Sequence, residues 1–144
     1  VPELIHFVAC NEVLLDDYNN PSLISVFIAL EAKHKKGEEI DPRSMAPRPW
    51  TVFTMWLAED KTDLGKKYTQ KLVIETPDGR EFGNNTEDFT MVKEAHTIRT
   101  KVAGFPVGVE GKVLMRVWIE DAMGTRITKI RKSRINVKHV KERL

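Results

Sequence analysis

One cysteine, Cys10, is all that the 144 residues contain, which excludes an internal disulfide and removes the usual staple of a small secreted domain. Long hydrophobic runs are missing too: none approaches the roughly 20 residues that a bilayer-spanning helix needs. The opening Val1-Pro2-Glu3-Leu4-Ile5-His6-Phe7 lacks the basic start, long apolar stretch and small-residue cleavage site of a secretory signal. These absences point to the cytoplasm and away from a membrane. A large charge of one sign is absent as well, since the net charge is +2. No stretch keeps a helical period for long, nothing repeats, and there is no low-complexity tract.

What remains is a globular balance of 41% hydrophobic and 31% charged residues, long enough to bury a core without metal or disulfide support. One domain over 1–144 is expected. Its charge is uneven. From Gly124 to Leu144 eight basic residues face one acid, Glu142, so that end carries +7 and the first 123 residues carry −5. A basic end on an acidic body attracts polyanions, and it also attracts the body of a neighbouring copy.

Short alternating segments separated by turn chemistry fill the chain. Leu4 to Leu15 opens it, apolar on both sides over its first half apart from His6. Asp16-Asp17-Tyr18-Asn19-Asn20-Pro21-Ser22 then supplies a turn, and Leu23 to Ala32 a second strand. The proline-rich stretch 33–49 reads as a long surface loop. Trp50 to Ala58 fits a strand, with a short helix as the alternative. Lys67 to Thr76 alternates cleanly, and Thr76-Pro77-Asp78-Gly79 has the residues of a tight turn, leading to a short return over Arg80 to Phe82. A polar turn is expected at Asn84-Asn85, then a weaker strand from Phe89 to Val102 with a change of phase. In Lys112 to Glu120, Val113, Met115, Val117 and Ile119 share one side. A basic final strand runs through 125–144. The fold class implied is all-β, an antiparallel two-sheet sandwich of about seven strands.

Four segments carry a resemblance: Glu3 to Cys10, Asn20 to Phe27, Ile74 to Gly79, and Gly104-Phe105-Pro106-Val107 leading into Gly111 to Glu120. Their layout resembles a family of small bacterial proteins of unassigned function with immunoglobulin-like β-sandwiches. The resemblance implies that fold, covers nearly the whole chain, and brings no catalytic or binding residue with it.

Catalytic chemistry finds no constellation in the sequence. Cys10 and His6 would share a strand face about 13 Å apart, too far to act as nucleophile and base, and Cys10 reads as a core residue. His6, His34, His96 and His139 are scattered where zinc wants close spacing. Asp16-Asp17, Glu59-Asp60 with Asp63, and Glu120-Asp121 lack the fixed oxygen spacing of a calcium loop. The glycines between Gly104 and Gly111 lack the lysine and helix start of a phosphate cradle. No cofactor and no enzyme activity are expected.

Two surfaces stand out instead. If Val113, Met115, Val117 and Ile119 face the core, then Leu114, Arg116 and Trp118 face outward, with the composition of an interface core. The alternative is that the 33–49 loop covers them. The second surface is the cationic set Arg126, Lys129, Arg131, Lys132 and Arg134, which could track a phosphate backbone. Those cations occupy both strand phases and have no aromatic among them in sequence to stack bases; a solubilising edge strand explains them as well. The leading reading is a non-enzymatic interaction module for a protein partner or a second copy. A nucleic-acid accessory protein is the alternative, and an enzyme of unfamiliar type comes third.

Overall fold

The computed structural model describes residues 1–141. Eleven strands and one short 3₁₀ turn make up the regular structure among them. In chain order they are β1 (Glu3–Leu15), β2 (Pro21–Val26), β3 (Ala29–His34), β4 (Met45–Ala46), β5 (Trp50–Leu57), β6 (Lys67–Glu75), β7 (Glu81–Thr90), β8 (Ala95–Val102), β9 (Phe105–Pro106), β10 (Gly111–Asp121) and β11 (Arg131–Lys141). The 3₁₀ turn, Lys61–Asp63, lies between β5 and β6. The all-β class holds, with more strands than the seven expected.

One sheet has the order β2-β1-β5-β8, a second β3-β11-β10-β6-β7, and a third pairs β4 with β9. Every ladder is antiparallel except that of β3 with β11, which is parallel; the wholly antiparallel expectation is corrected there. The cause is the path of the chain. The single strand expected over Leu23 to Ala32 is two, β2 at the edge of the first sheet and β3 at the edge of the second. Between them Phe27 turns inward, edge-on to Trp50 and Phe105 with centroids 6.0 and 6.1 Å away.

A single hydrophobic cluster draws on both large sheets. Leu4, Ala9, Trp50, Val52, Trp56 and Ile98 come from the first, and Leu72, Ile74, Val113, Met115, Val117 and Ile135 are among those from the second. Alternation explains this, since each strand sends every second side chain to one face. Strand β5 is buried on both faces: Phe53, out of phase with Val52, packs with Cys10 and Val13 in a separate small cluster. A polar link crosses between the sheets. Thr54 Oγ1 and Trp56 Nε1 of β5 donate to Gln70 Oε1 of β6 at 2.6 and 2.8 Å.

Strand β1 outruns its partner. Glu3 to Cys10 pair with β5, while Cys10 to Leu15 pair with β2. Pro49 precedes β5 and can donate no ladder bond. Beyond Cys10, therefore, β1 and β2 form a two-stranded ribbon. Its turn is tied by Asp16 Oδ1, which accepts from the amides of Tyr18 and Asn20, both at 2.8 Å. Those amide bonds, that of Asn20 foremost, hold the Asp16 carboxyl below its usual pKa.

Other boundaries differ from expectation for physical reasons. Asn84 and Asn85, expected in a turn, lie mid-strand in β7, opposite Val73 and Leu72; pairing along the whole of β6 overrides their turn preference. The expected return at Arg80 to Phe82 is the start of that ten-residue strand. Met91 to Glu94 separate β7 from β8 where one long segment was expected. Trp50–Leu57 is strand and not helix.

The basic strand expected over 125–144 is β11 alone, Arg131–Lys141, because Thr125 to Ile130 spend their hydrogen bonds on the turn and on Thr128 Oγ1 capping the Ile119 amide. Residues 142–144, with Arg143, lie outside the described residues. The stretch read as a loop over 33–49 begins inside β3 and includes β4. It is seated firmly: β4 pairs with β9, the Val107 amide donates to Ser44 O at 3.1 Å, and Arg80 reaches Pro42 O. Gly108 lies so close to the backbone of Asp41 and Pro42 that a Cβ there would overlap it.

Candidate functional site

Strand β10 is the middle strand of its sheet, and its two faces differ sharply. Val113, Met115, Val117 and Ile119 are all 0% exposed. Leu114, Arg116 and Trp118, in the opposite phase, are half-buried on the outer face. Sequence alternation places both rows correctly.

Register brings neighbours beside the outer row that the linear sequence keeps apart. Leu114 stands opposite Arg134 on one side and Glu75 on the other; Arg116 stands opposite Lys132 and Val73; Trp118 stands opposite Lys71. Directly opposed residues of antiparallel strands point to the same face. Lys71, Lys132 and Arg134 therefore surround Leu114, Arg116 and Trp118. Arg116 is ion-paired to Glu75, and its Nε is buried without a partner. The Trp118 indole donates to Glu120 Oε2 at 3.1 Å. The acids fix two members of the row, and the cations on β11 and β6 ring them.

The five cations read from sequence do not form one patch. Lys132 and Arg134 join the outer face of β10. Arg131 has the opposite phase, with its Nη1 3.5 Å from Leu4 O. Lys129 and Arg131 line a cleft with Val1, Glu3, Trp56 and Glu59. Arg126 lies in the turn after β10, bridged to Glu120 through the backbone. The two sequence-derived surfaces thus merge in part: two of the cations join the row of β10, and three stand apart. The aromatic missing from the cations in sequence is supplied across the strand by Trp118. Only cross-strand register carries that signal.

The 33–49 stretch does not lie over this face. At its β3 end Lys33 and His34 pair with Val140 and Lys141 at the far end of β11; its other contacts run to Gly104, Phe105, Val107, Gly108 and Arg80, and through Arg48 to Asn11, 2.6 Å from its Oδ1, and to the Phe27 ring at 4.9 Å.

Ionisable groups elsewhere are structural in their surroundings. Burial pushes the Cys10 thiol up in pKa, and its Sγ lies 3.7 Å from Thr51 O. Burial lowers the pKa of His96, whose ring stacks on Phe89 at 4.4 Å and 9°. Asp63 is almost fully enclosed; burial works to raise its pKa, but the Val1 ammonium and the amides of Asp60 and Glu59 outweigh it and hold the carboxyl low. Among the described residues no three of His, Cys, Asp or Glu gather to hold a metal ion, and no helix is long and apolar enough to cross a membrane.

No family model matches the chain, and no curated protein matches it. Among solved structures it is similar to an immunoglobulin-like protein from Pseudomonas aeruginosa, with 13% identity over 94% of this chain and 97% of that one, at a TM-score of 0.37. Nothing about the chemistry of this chain follows from a likeness of that order.

Proposed function

We propose that the protein is a non-enzymatic interaction module, cytoplasmic, that docks an acidic protein surface on the outer face of β10. The observation that carries this reading is the register that surrounds Trp118 and Leu114 with Lys71, Lys132 and Arg134. An aromatic and an aliphatic anchor at the centre with charge around them is the composition of energetic centres in protein interfaces. Retention of partners by wild type, Trp118→Ala and Arg134→Glu, with Lys36→Ala in the 33–49 stretch as control, tests the reading. Partners retained by wild type and the control but lost from both face variants are expected; an unchanged set would overturn it.

Polyanion binding is the second reading, favoured by Trp118 standing on the same face as the cations, where a base could stack. Gel shifts with a single-stranded oligonucleotide should then weaken steeply with salt and lose affinity in Trp118→Ala. No shift at low ionic strength would remove it.

The architecture proposed for this module is an immunoglobulin-like sandwich. In support, the order β11-β10-β6-β7 follows the G-F-C-C′ order of that fold's second sheet, and β5 beside β8 corresponds to its B-E pair. On this reading β1 takes the place of A beside β5, and β2 is the strand added at its outer edge. A place in a family of small bacterial proteins belongs to the same proposal.

A further inference from the structure

The ribbon of β1 and β2 beyond Cys10 is a two-stranded arm, and a bare two-stranded ribbon is marginally stable in water. Val13 and Leu23 pack against Phe53, but the remaining apolar side chains are unusually open for their size: Tyr18 at the tip is 86% exposed, Ile28 just past the root 75%, and Val26 51%, with Leu14 and Ile24 also exposed. From Tyr18 to Leu30 thirteen consecutive residues carry no Asp, Glu, Lys or Arg, in a chain that is 31% charged.

The four edges of the two large sheets are not treated alike. Strand β3 carries Glu31 and Lys33, β7 carries Glu81, Glu87 and Asp88, and β8 carries Arg99 and Lys101. Charges on edge strands discourage pairing with another chain. Strand β2, Pro21-Ser22-Leu23-Ile24-Ser25-Val26, has none. Among the described residues its outer edge has no neighbouring strand.

We propose that the arm is a self-association element, in which β2 pairs antiparallel with β2 of a second copy across a two-fold axis. Three observations select that occupant. An edge without charge meets no repulsion from its own copy. Antiparallel pairing about a two-fold near Ile24 lays the tip of each arm, with Tyr18, beside the root of the other, with Ile28, so the most exposed apolar side chains at opposite ends cover one another. A six-residue strand is also short against the roughly 20–30 residues per side of a standard interface, so contacts beyond both ends of β2 are needed, and only the antiparallel two-fold supplies them from the same chain. The assembly joins two four-stranded sheets edge to edge and leaves both β10 faces open. It concerns a different surface from the docking face and stands without it.

Light scattering after size exclusion, across a concentration series, tests the proposal. A dimer is expected for wild type and for Trp118→Ala, with the dissociation constant raised about tenfold or more by Ile24→Lys (tenfold being the effect of about 1.4 kcal/mol). Should Ile24→Lys fail to fold by circular dichroism, Val26→Lys carries the same test. Oxidation of Ile24→Cys should give a covalent dimer, since the two-fold sets that position near its own copy and Cys10 is 0% exposed. A monomer at the highest soluble concentration would overturn the proposal. So would a dimer that the lysine variants leave intact; if Trp118→Ala breaks that dimer, the β10 face is the contact instead.

Discussion

Strand β10 and strand β2 are both rich in aliphatic residues, and they end in opposite states. Valine, methionine and isoleucine on one face of β10 are sealed from solvent, while Ile24 and Val26 of β2 stay exposed. Hydrophobicity does not separate them; neighbours do. β10 has a strand on each side, and its inner row packs in one cluster with residues of the other large sheet, whereas among the described residues β2 has a strand on one side only. Burial requires a layer above as well as a ladder beside; on the arm only Val13 and Leu23 find one, against Phe53, and Ile24 and Val26 do not.

The largest effect expected from this contrast is at Met115. Met115→Ala should cost about 2–5 kcal/mol in urea unfolding, because a packed two-sided core leaves a cavity when it loses volume. A loss no larger than that at an exposed site would break the comparison.

Next comes Gln70. Its Oε1 accepts from both Thr54 and Trp56 inside the core, so Gln70→Ala leaves a hydroxyl and an indole N–H buried without an acceptor, at about 1–3 kcal/mol for a stranded group. The change should be seen in unfolding free energy together with a shift in tryptophan fluorescence.

A pH effect follows from His96. Burial lowers its folded-state pKa, so the folded protein prefers the neutral ring. The stability this contributes is present above the unfolded value of about 6.5 and is lost as pH falls below it toward the folded value. Replacing the ring in His96→Phe keeps a partner for Phe89 and should flatten that part of the stability profile; an unchanged profile would assign the titration elsewhere.

The smallest effect is expected at the arm. Ile24→Ser should alter the unfolding of the monomer by no more than about 0.5 kcal/mol, measured in dilute solution. A loss rivalling that at Met115 would show that the arm is covered within one chain, and would end the contrast between β2 and β10.

Much of the fold was legible as period-two alternation. The two rows of β10 and the clean alternation of β6 could be read directly, since on a strand the side-chain period admits one answer once a core face is chosen. Of strand β7 the sequence shows only the start, the return at Arg80 to Phe82, because an edge strand needs little apolar content and its asparagines look like a turn when read alone. The division of Leu23 to Ala32 into β2 and β3 was missed because a bend between two sheets leaves the apolar pattern almost unbroken. For the site, Leu114, Arg116 and Trp118 came from alternation. Their company did not, because Lys71 and Lys132 lie far from them in sequence and meet them only through register.

By itself, then, the sequence determined the strand-forming class, the inward and outward rows of its strongest strands, a lone cysteine suited to a core, and the uneven charge. These are local properties, set by side-chain identity and a period of two. Tertiary structure alone decided which strands are neighbours, where Trp118 meets its cations, that β3 runs parallel to β11, and that one apolar hairpin projects past its sheet. Those depend on hydrogen-bond partners distant in the chain, and no local spacing encodes which distant strand a ladder will join.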